Sequence, residues 1–108
     1  MPQNVEIKYT PAAVDDMDEI FSFISADNVD ASVALLARLD EGIGRLSHFP
    51  FAGLVLSQDD YELIQSGYRF IVVHPYLVFY RVIDESVIIH RILHARRDYL
   101  RELFDQGK

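Results

Sequence analysis

Tyr76-Leu77-Val78-Phe79-Tyr80-Arg81-Val82-Ile83, then Asp84-Glu85-Ser86, then Val87-Ile88-Ile89-His90-Arg91-Ile92-Leu93 is the stretch on which the fold turns. β-Branched and aromatic residues dominate both runs, as they do in strands, and the polar link between them is short. Two such runs on a tight connection predict an antiparallel hairpin. Upstream, His74-Pro75 is a second tight link, leading back to a run at Tyr68–Val73. A further short strand is predicted at about Tyr61–Ile64, with Gly67 as a bulge or bend between the two.

The first half of the chain follows the helical period instead. Val5, Ile7 and Tyr9 alternate with Glu6 and Lys8 as one short strand. Thr10-Pro11 then supplies an N-cap hydroxyl and a proline at the first helical position. Val14, Met17, Phe21 and Ile24 predict the apolar face of a helix ending near Ala26, with Asp15, Asp16, Asp18 and Glu19 at the positive end of its dipole. Asn28 or Asp30 caps a second helix, whose stripe is Val29, Val33, Leu36, Leu39, Ile43 and Leu46. Gly42 and Gly44 each cost about 1 kcal/mol relative to alanine, which implies weak last turns or close packing. Pro50 stops this helix, and the short link between the two makes an antiparallel helical hairpin. Phe51–Asp60 reads as a loop, and Asp98 caps a short final helix, Tyr99–Phe104. The predicted fold class is α+β, with an N-terminal strand and a helical hairpin packed on an antiparallel sheet, in one domain over residues 1–108.

Composition narrows the functions. Half of the 108 residues are apolar and a quarter charged, which is a folded rather than a disordered composition. With no cysteine there is no disulfide, thiolate nucleophile or Cys-based zinc site. The N-terminus has no basic and apolar leader, and the most apolar run, Phe70–Tyr80, is broken by His74-Pro75 and too short to span a bilayer. A cytoplasmic protein with no membrane partner is expected. A net charge of −7 opposes general nucleic-acid affinity, although Arg91, Arg96, Arg97 and Arg101 crowd the C-terminus as a local basic patch.

Tyr76–Tyr80 and Val87–Ile89 are apolar at every position, whereas a sheet covered on one face alternates. Their second face is therefore covered too, by the C-terminal segment or by another chain. Chemistry is sparse. His90 and His94 on a strand stand about 13 Å apart, too far to share a metal. No serine lies in a nucleophile elbow, no glycine-rich loop could cradle phosphates, and Asp59-Asp60 and Asp84-Glu85 fall in turns. What remains is an arginine set, Arg69, Arg81, Arg91, Arg96 and Arg97, with His94 and Tyr99 nearby. Arg81 alternates in phase with Leu77 and Phe79, and Arg91 with Val87, Ile89 and Leu93. Either these arginines pair with Asp84, Glu85 or Asp98 or keep their heads in solvent, or they form a ridge that grips phosphate or a carboxylate-bearing partner.

Several words in the sequence carry a resemblance. Pro11-Ala12-Ala13, Phe49-Pro50 with Gly53, Gly67-Tyr68-Arg69, Pro75 through Val82, and Ile92-Leu93-His94-Ala95-Arg96-Arg97-Asp98 together resemble the RelE/ParE superfamily of toxin–antitoxin toxins, over roughly Val5–Phe104. RelE-like members are ribosome-dependent messenger-RNA endonucleases, and ParE-like members inhibit DNA gyrase. The nuclease branch places a catalytic arginine after the strand tyrosine, where this chain has Leu77, a second arginine at Arg97, and a tyrosine near Leu103 or Phe104. Two of those roles are missing here, with Tyr99 as a shifted substitute, which leaves Arg97, His94, Arg81 and Tyr99 as the nuclease set.

Phe79-Tyr80-Arg81-Val82 and Ile92-Leu93-His94 are most similar to the ParE-like branch. That resemblance implies the toxin of a type II, plasmid-stabilising system, which binds and inhibits DNA gyrase and is neutralised by a cognate antitoxin in a hetero-oligomer. Leu77, Phe79, Arg81, Arg91, Arg96 and Arg97 are then the partner-binding residues, with no cofactor and no metal. The alternatives are a RelE-like endonuclease acting on the ribosome and its messenger RNA, and a non-toxic binding module on the same scaffold.

Overall fold

The structure, a computed structural model, describes residues 5–55 and 67–96. In chain order these form β1 (Glu6–Tyr9), α1 (Pro11–Ser25), α2 (Val29–Gly44), a 3-10 turn (Arg45–Ser47), β2 (Leu54–Val55), β3 (Arg69–Val73), β4 (Tyr76–Ile83) and β5 (Ser86–His94). The strands make one sheet in the order β1-β5-β4-β3-β2. The two helices pack on one of its faces, an α+β architecture.

α1 begins where the cap chemistry places it. The Thr10 hydroxyl accepts the Ala13 N–H at 3.0 Å and donates to the His90 carbonyl at 2.8 Å, which ties the helix start to β5. The first turn carries no acidic residue, so the expected dipole complement is absent there. Of the two candidate caps for α2, Asn28 serves, its side chain accepting the Ala31 N–H at 3.0 Å. The buried stripe of α2 is Ser32, Leu35, Leu39 and Ile43, while Val29 and Val33 are 60% and 54% exposed. The expected stripe is therefore corrected in its first two turns. The Ser25 hydroxyl donates to the Ser32 hydroxyl at 2.7 Å, which seats small Ser32 against α1 and turns bulky Val33 outward. Gly42 is a packing glycine: a Cβ there would meet Val73 Cγ2 at 3.1 Å, so its absence lets α2 lie close on β3.

β3, β4 and β5 form the expected antiparallel meander. The sheet as a whole is mixed, because β1 pairs in parallel with β5, from Glu6↔Ser86 to Tyr9↔Ile89. β2 lies in the segment expected to be loop, where Leu54 pairs with Phe70 and Val55 with Arg69. Its apolar run is too short for a periodicity argument. Gly67 has φ +82°, in keeping with a bend at that position. The strand expected at Tyr61–Ile64 and the helix at Tyr99–Phe104 lie outside the described residues.

Both faces of β4 are buried within the single chain. Tyr76, Val78 and Tyr80 join Val87, Ile89 and Ile92 under the helices. From the alternate positions, Leu77 and Phe79, with Leu93 of β5, are 8%, 0% and 2% exposed. The β4–β5 register slips between Phe79 and Tyr80: Phe79 faces Arg91 and Tyr80 faces Ile89, leaving His90 as the extra residue of a bulge. That bulge shifts the phase of β5, so that Ile92 rather than Leu93 continues the core set of Val87 and Ile89.

Candidate functional site

The bulge positions the best-connected polar group of the molecule. Arg91 reaches across to α1, where its Nε and Nη2 donate to the Asp16 carboxylate at 2.7 and 2.9 Å. The same carboxylate accepts the backbone N–H of Ile92 at 2.9 Å. The side chains are 16% and 9% exposed, so this is a bidentate, desolvated pair. Asp84 and Glu85, expected as arginine partners, are exposed turn residues instead, and Asp98 lies outside the described residues. In the sequence Asp16 is marked only as one of the acidic residues toward the positive end of the α1 dipole. Its signal was its spacing, three residues after buried Ala13 and four before half-buried Ile20.

Arg81, Tyr68 and His90 meet on the face opposite the helices. The Arg81 guanidinium carbon lies 5.0 Å from the Tyr68 ring centroid. The Tyr68 hydroxyl stands 3.3 Å from His90 Nε2, with the two rings edge-on. Burial, reinforced by the Arg81 and Arg91 guanidiniums, holds the His90 pKa below the usual imidazole value. Burial pushes the Tyr68 phenol up, with Arg81 pulling the other way.

A pH effect on stability follows. The unfolded chain binds a proton at His90 more readily than the folded one, so stability falls as pH falls through about 6.5 and levels off below the folded-state pKa. Between about pH 8 and pH 5, wild type should lose more thermal stability than His90→Gln. Parallel melting curves for the two proteins across that range would refute the assignment.

The remaining candidates are scattered. His94 sits at the far end of β5, paired with Tyr76, its ring edge-on to that tyrosine and its Nδ1 accepting the Arg96 N–H at 3.0 Å. It opens into a cleft of about 290 Å³ beside α1, lined also by Asp16, Glu19, Ile20, Phe23, Tyr76 and Ile92. Arg81 is five residues from Tyr76 along β4, roughly 16 Å, and on the other face. The structure therefore does not bring Arg81 and His94 together, and Arg97 and Tyr99 lie outside the described residues. Arg96 is exposed. Leu77 and Phe79, expected as partner contacts, offer almost no surface in this chain. Among the described residues no group of three His, Cys, Asp or Glu side chains could hold a metal, and no helix is long and apolar enough to cross a membrane.

The exposed apolar side chains fall elsewhere. Phe23 is 79% exposed on α1, next to a hollow of about 620 Å³ at the hairpin turn. Phe49, Phe51 and Leu54 are 66%, 63% and 63% exposed around β2, the edge of the sheet. The main-chain path there is fixed by Arg69, which donates to the Phe51 and Gly53 carbonyls at 3.2 and 3.0 Å, its guanidinium 5.1 Å from the centre of the Phe51 ring.

A helical hairpin on this mixed sheet is the α+β fold of the RelE/ParE toxin superfamily. Within it the chain belongs to the ParE toxin family of type II toxin–antitoxin systems, whose profile, described as the ParE toxin of parDE, matches residues 7–99. It is 34% identical over 89 residues to Toxin ParE3 of Caulobacter vibrioides, an alignment covering 82% of this chain and 84% of that one. Among solved structures it resembles a chain of the chromosomal ParDE system from P. aeruginosa, with TM-score 0.67 and 19% identity over 83% of this chain and 95% of the other. A chain of the RelBE2 toxin–antitoxin complex from Mycobacterium tuberculosis matches with TM-score 0.57 and 22% identity, covering 84% and 98%. At those identities the two structures speak for the fold alone.

Proposed function

We propose that this ParE-family toxin acts in the cytoplasm by binding and inhibiting DNA gyrase, and that a cognate antitoxin neutralises it in a hetero-oligomer, as in plasmid-stabilising systems. The observation that carries this reading is the separation of the two candidate nuclease groups among the described residues. Arg81 and His94 lie on opposite faces at opposite ends of β4 and β5. Metal-free cleavage of RNA needs a base, an acid and a cation on one phosphate. Leu77 occupies the position of the nuclease branch's strand arginine and is buried. Binding, by contrast, has what it needs. Phe23, Phe49, Phe51 and Leu54 offer large apolar side chains of the kind that anchor protein interfaces. Arg81, on the Tyr68 ring, and exposed Arg96, followed by Arg97 in the sequence, supply cations.

Induction without antitoxin in bacteria, followed by labelled thymidine and methionine incorporation, tests the reading. DNA synthesis should stop first, and the purified protein should block supercoiling by gyrase. Early loss of translation with DNA synthesis intact would overturn the proposal in favour of ribosome-dependent cleavage. Normal incorporation of both would mean a silent binding module.

A further inference from the structure

Four of the six arginines among the described residues are satisfied within the chain, and Arg96 is exposed. Arg91 is bound by Asp16, Arg69 donates to two carbonyls, Arg38 donates to the His74 carbonyl at 2.8 Å, and Arg45 pairs with Glu41 at 3.4 Å. Half-buried Arg81 differs. It stacks on Tyr68, yet among the described residues it has neither a carboxylate nor a carbonyl acceptor. A partly desolvated guanidinium without an acceptor is costly, and bidentate acceptance by a carboxylate offsets that cost. The Tyr68 ring lies against the guanidinium, which restricts the fork and leaves it less entropy to lose on binding. Ile88, its partner across the strands, and Ile83, 40% exposed two residues on, give the fork an apolar frame. A central arginine in an apolar surround is the usual make-up of an interface hot spot.

We infer that the Arg81 fork, stacked on Tyr68, is the seat of a single carboxylate side chain of the antitoxin. This rests on the reading that an antitoxin holds the chain. Charge selects a lone carboxylate over a nucleic-acid phosphate chain, because one guanidinium on a protein of net charge −7 cannot offset a polyanion. The antitoxin is the partner that the parent reading supplies. An acidic side chain gains nothing from the long-range field of this protein. The contact closes only once a partner is already held by apolar surface, which the exposed phenylalanines provide.

The test compares dissociation of the purified toxin–antitoxin complex for wild type, Arg81→Gln and Arg81→Lys. Arg81→Gln should speed dissociation by at least roughly 30-fold, while Arg81→Lys, which keeps the charge but not the fork, recovers part of the loss. One Asp or Glu→Ala variant of the antitoxin should give a loss of similar size that does not add to that of Arg81→Gln. Wild-type dissociation of the Arg81→Gln complex, with its fold intact by melting temperature, would overturn the inference. Failure of the wild-type chain to bind its antitoxin would instead overturn the parent reading. A separate measurement then decides the seat. Acetate added to the free protein should move the Arg81 Nε–H NMR resonance, and a chloride series at equal ionic strength should not. No acetate-specific shift would sink the seat itself.

Discussion

Asp16→Ala should destabilise the fold by about 3–5 kcal/mol, the cost of removing one partner from a buried ion pair. The substitution strands the Arg91 guanidinium, whose side chain is only 16% exposed, and takes the acceptor from the Ile92 N–H. Both losses fall at one point, where α1 is fastened to β5. Urea unfolding measures the effect directly, and a loss under about 1 kcal/mol would show that water replaces the carboxylate without penalty. The control is Asp16→Leu with Arg91→Met. Replacing both charges by apolar groups of similar bulk should recover most of the stability, because the pair's own desolvation cost disappears with it. Arg91 therefore reads as a structural residue, and a loss of toxicity on its mutation alone would reflect the fold and not a contact with the target.

Gly53→Ala should cost about 2–4 kcal/mol, through overpacking together with a disturbed buried hydrogen bond. Gly53 is buried, and its N–H donates to the Tyr80 hydroxyl at 2.8 Å. A Cβ there would lie 2.5 Å from that hydroxyl, 2.7 Å from Tyr80 Cε1 and 2.9 Å from the Phe70 carbonyl oxygen. Two of those neighbours belong to a fully buried ring and the third is backbone, so none can swing away as a flexible side-chain tip would. Either Tyr80 leaves its place in the core or β2 lifts from β3. The double variant with Tyr80→Phe separates the terms. Removing the hydroxyl relieves the shortest contact, so the two changes should cost less together than the sum of their separate effects, read from thermal melts. Strict additivity would mean that the strain lies elsewhere.

The fold was largely legible because it is written in patterns that survive tertiary context. The Thr10-Pro11 start, the Asn28 cap, the tight links at His74-Pro75 and Asp84-Glu85-Ser86, and the doubly apolar Tyr76–Tyr80 run each have a local cause. The misses were non-local. Parallel pairing of β1 with β5 leaves no trace in the alternation of Val5, Ile7 and Tyr9, which reads the same in either direction. A bulge at His90 cannot be seen in a run where nearly every residue is apolar, and it shifted the phase assumed for Arg91. The site was less legible than the fold. The Asp16 partner of Arg91 lies 75 residues away in sequence, and Tyr68 meets Arg81 only through the pairing of β3 with β4. The second apolar face was anticipated, yet the chain buries its Leu77 and Phe79 itself and presents Phe23, Phe49 and Phe51 instead.

The first strand lying beside the last also sets the order in which the molecule is made. The helical hairpin and the β3–β5 meander are each built from near neighbours in sequence, so their contacts close only short loops. The seam joining them closes a loop of 80 residues, seen in the bond from Thr10 to the His90 carbonyl. Closing a loop of that length costs about 4 kcal/mol of chain entropy, so the seam is expected to close late, after the hairpin and the meander. Asp16 and Arg91 sit on that seam. Contacts that form after the rate-limiting barrier leave the folding rate nearly unchanged and hold down the unfolding rate. The latch thus acts on lifetime: it governs how long a finished toxin persists once its two halves have met.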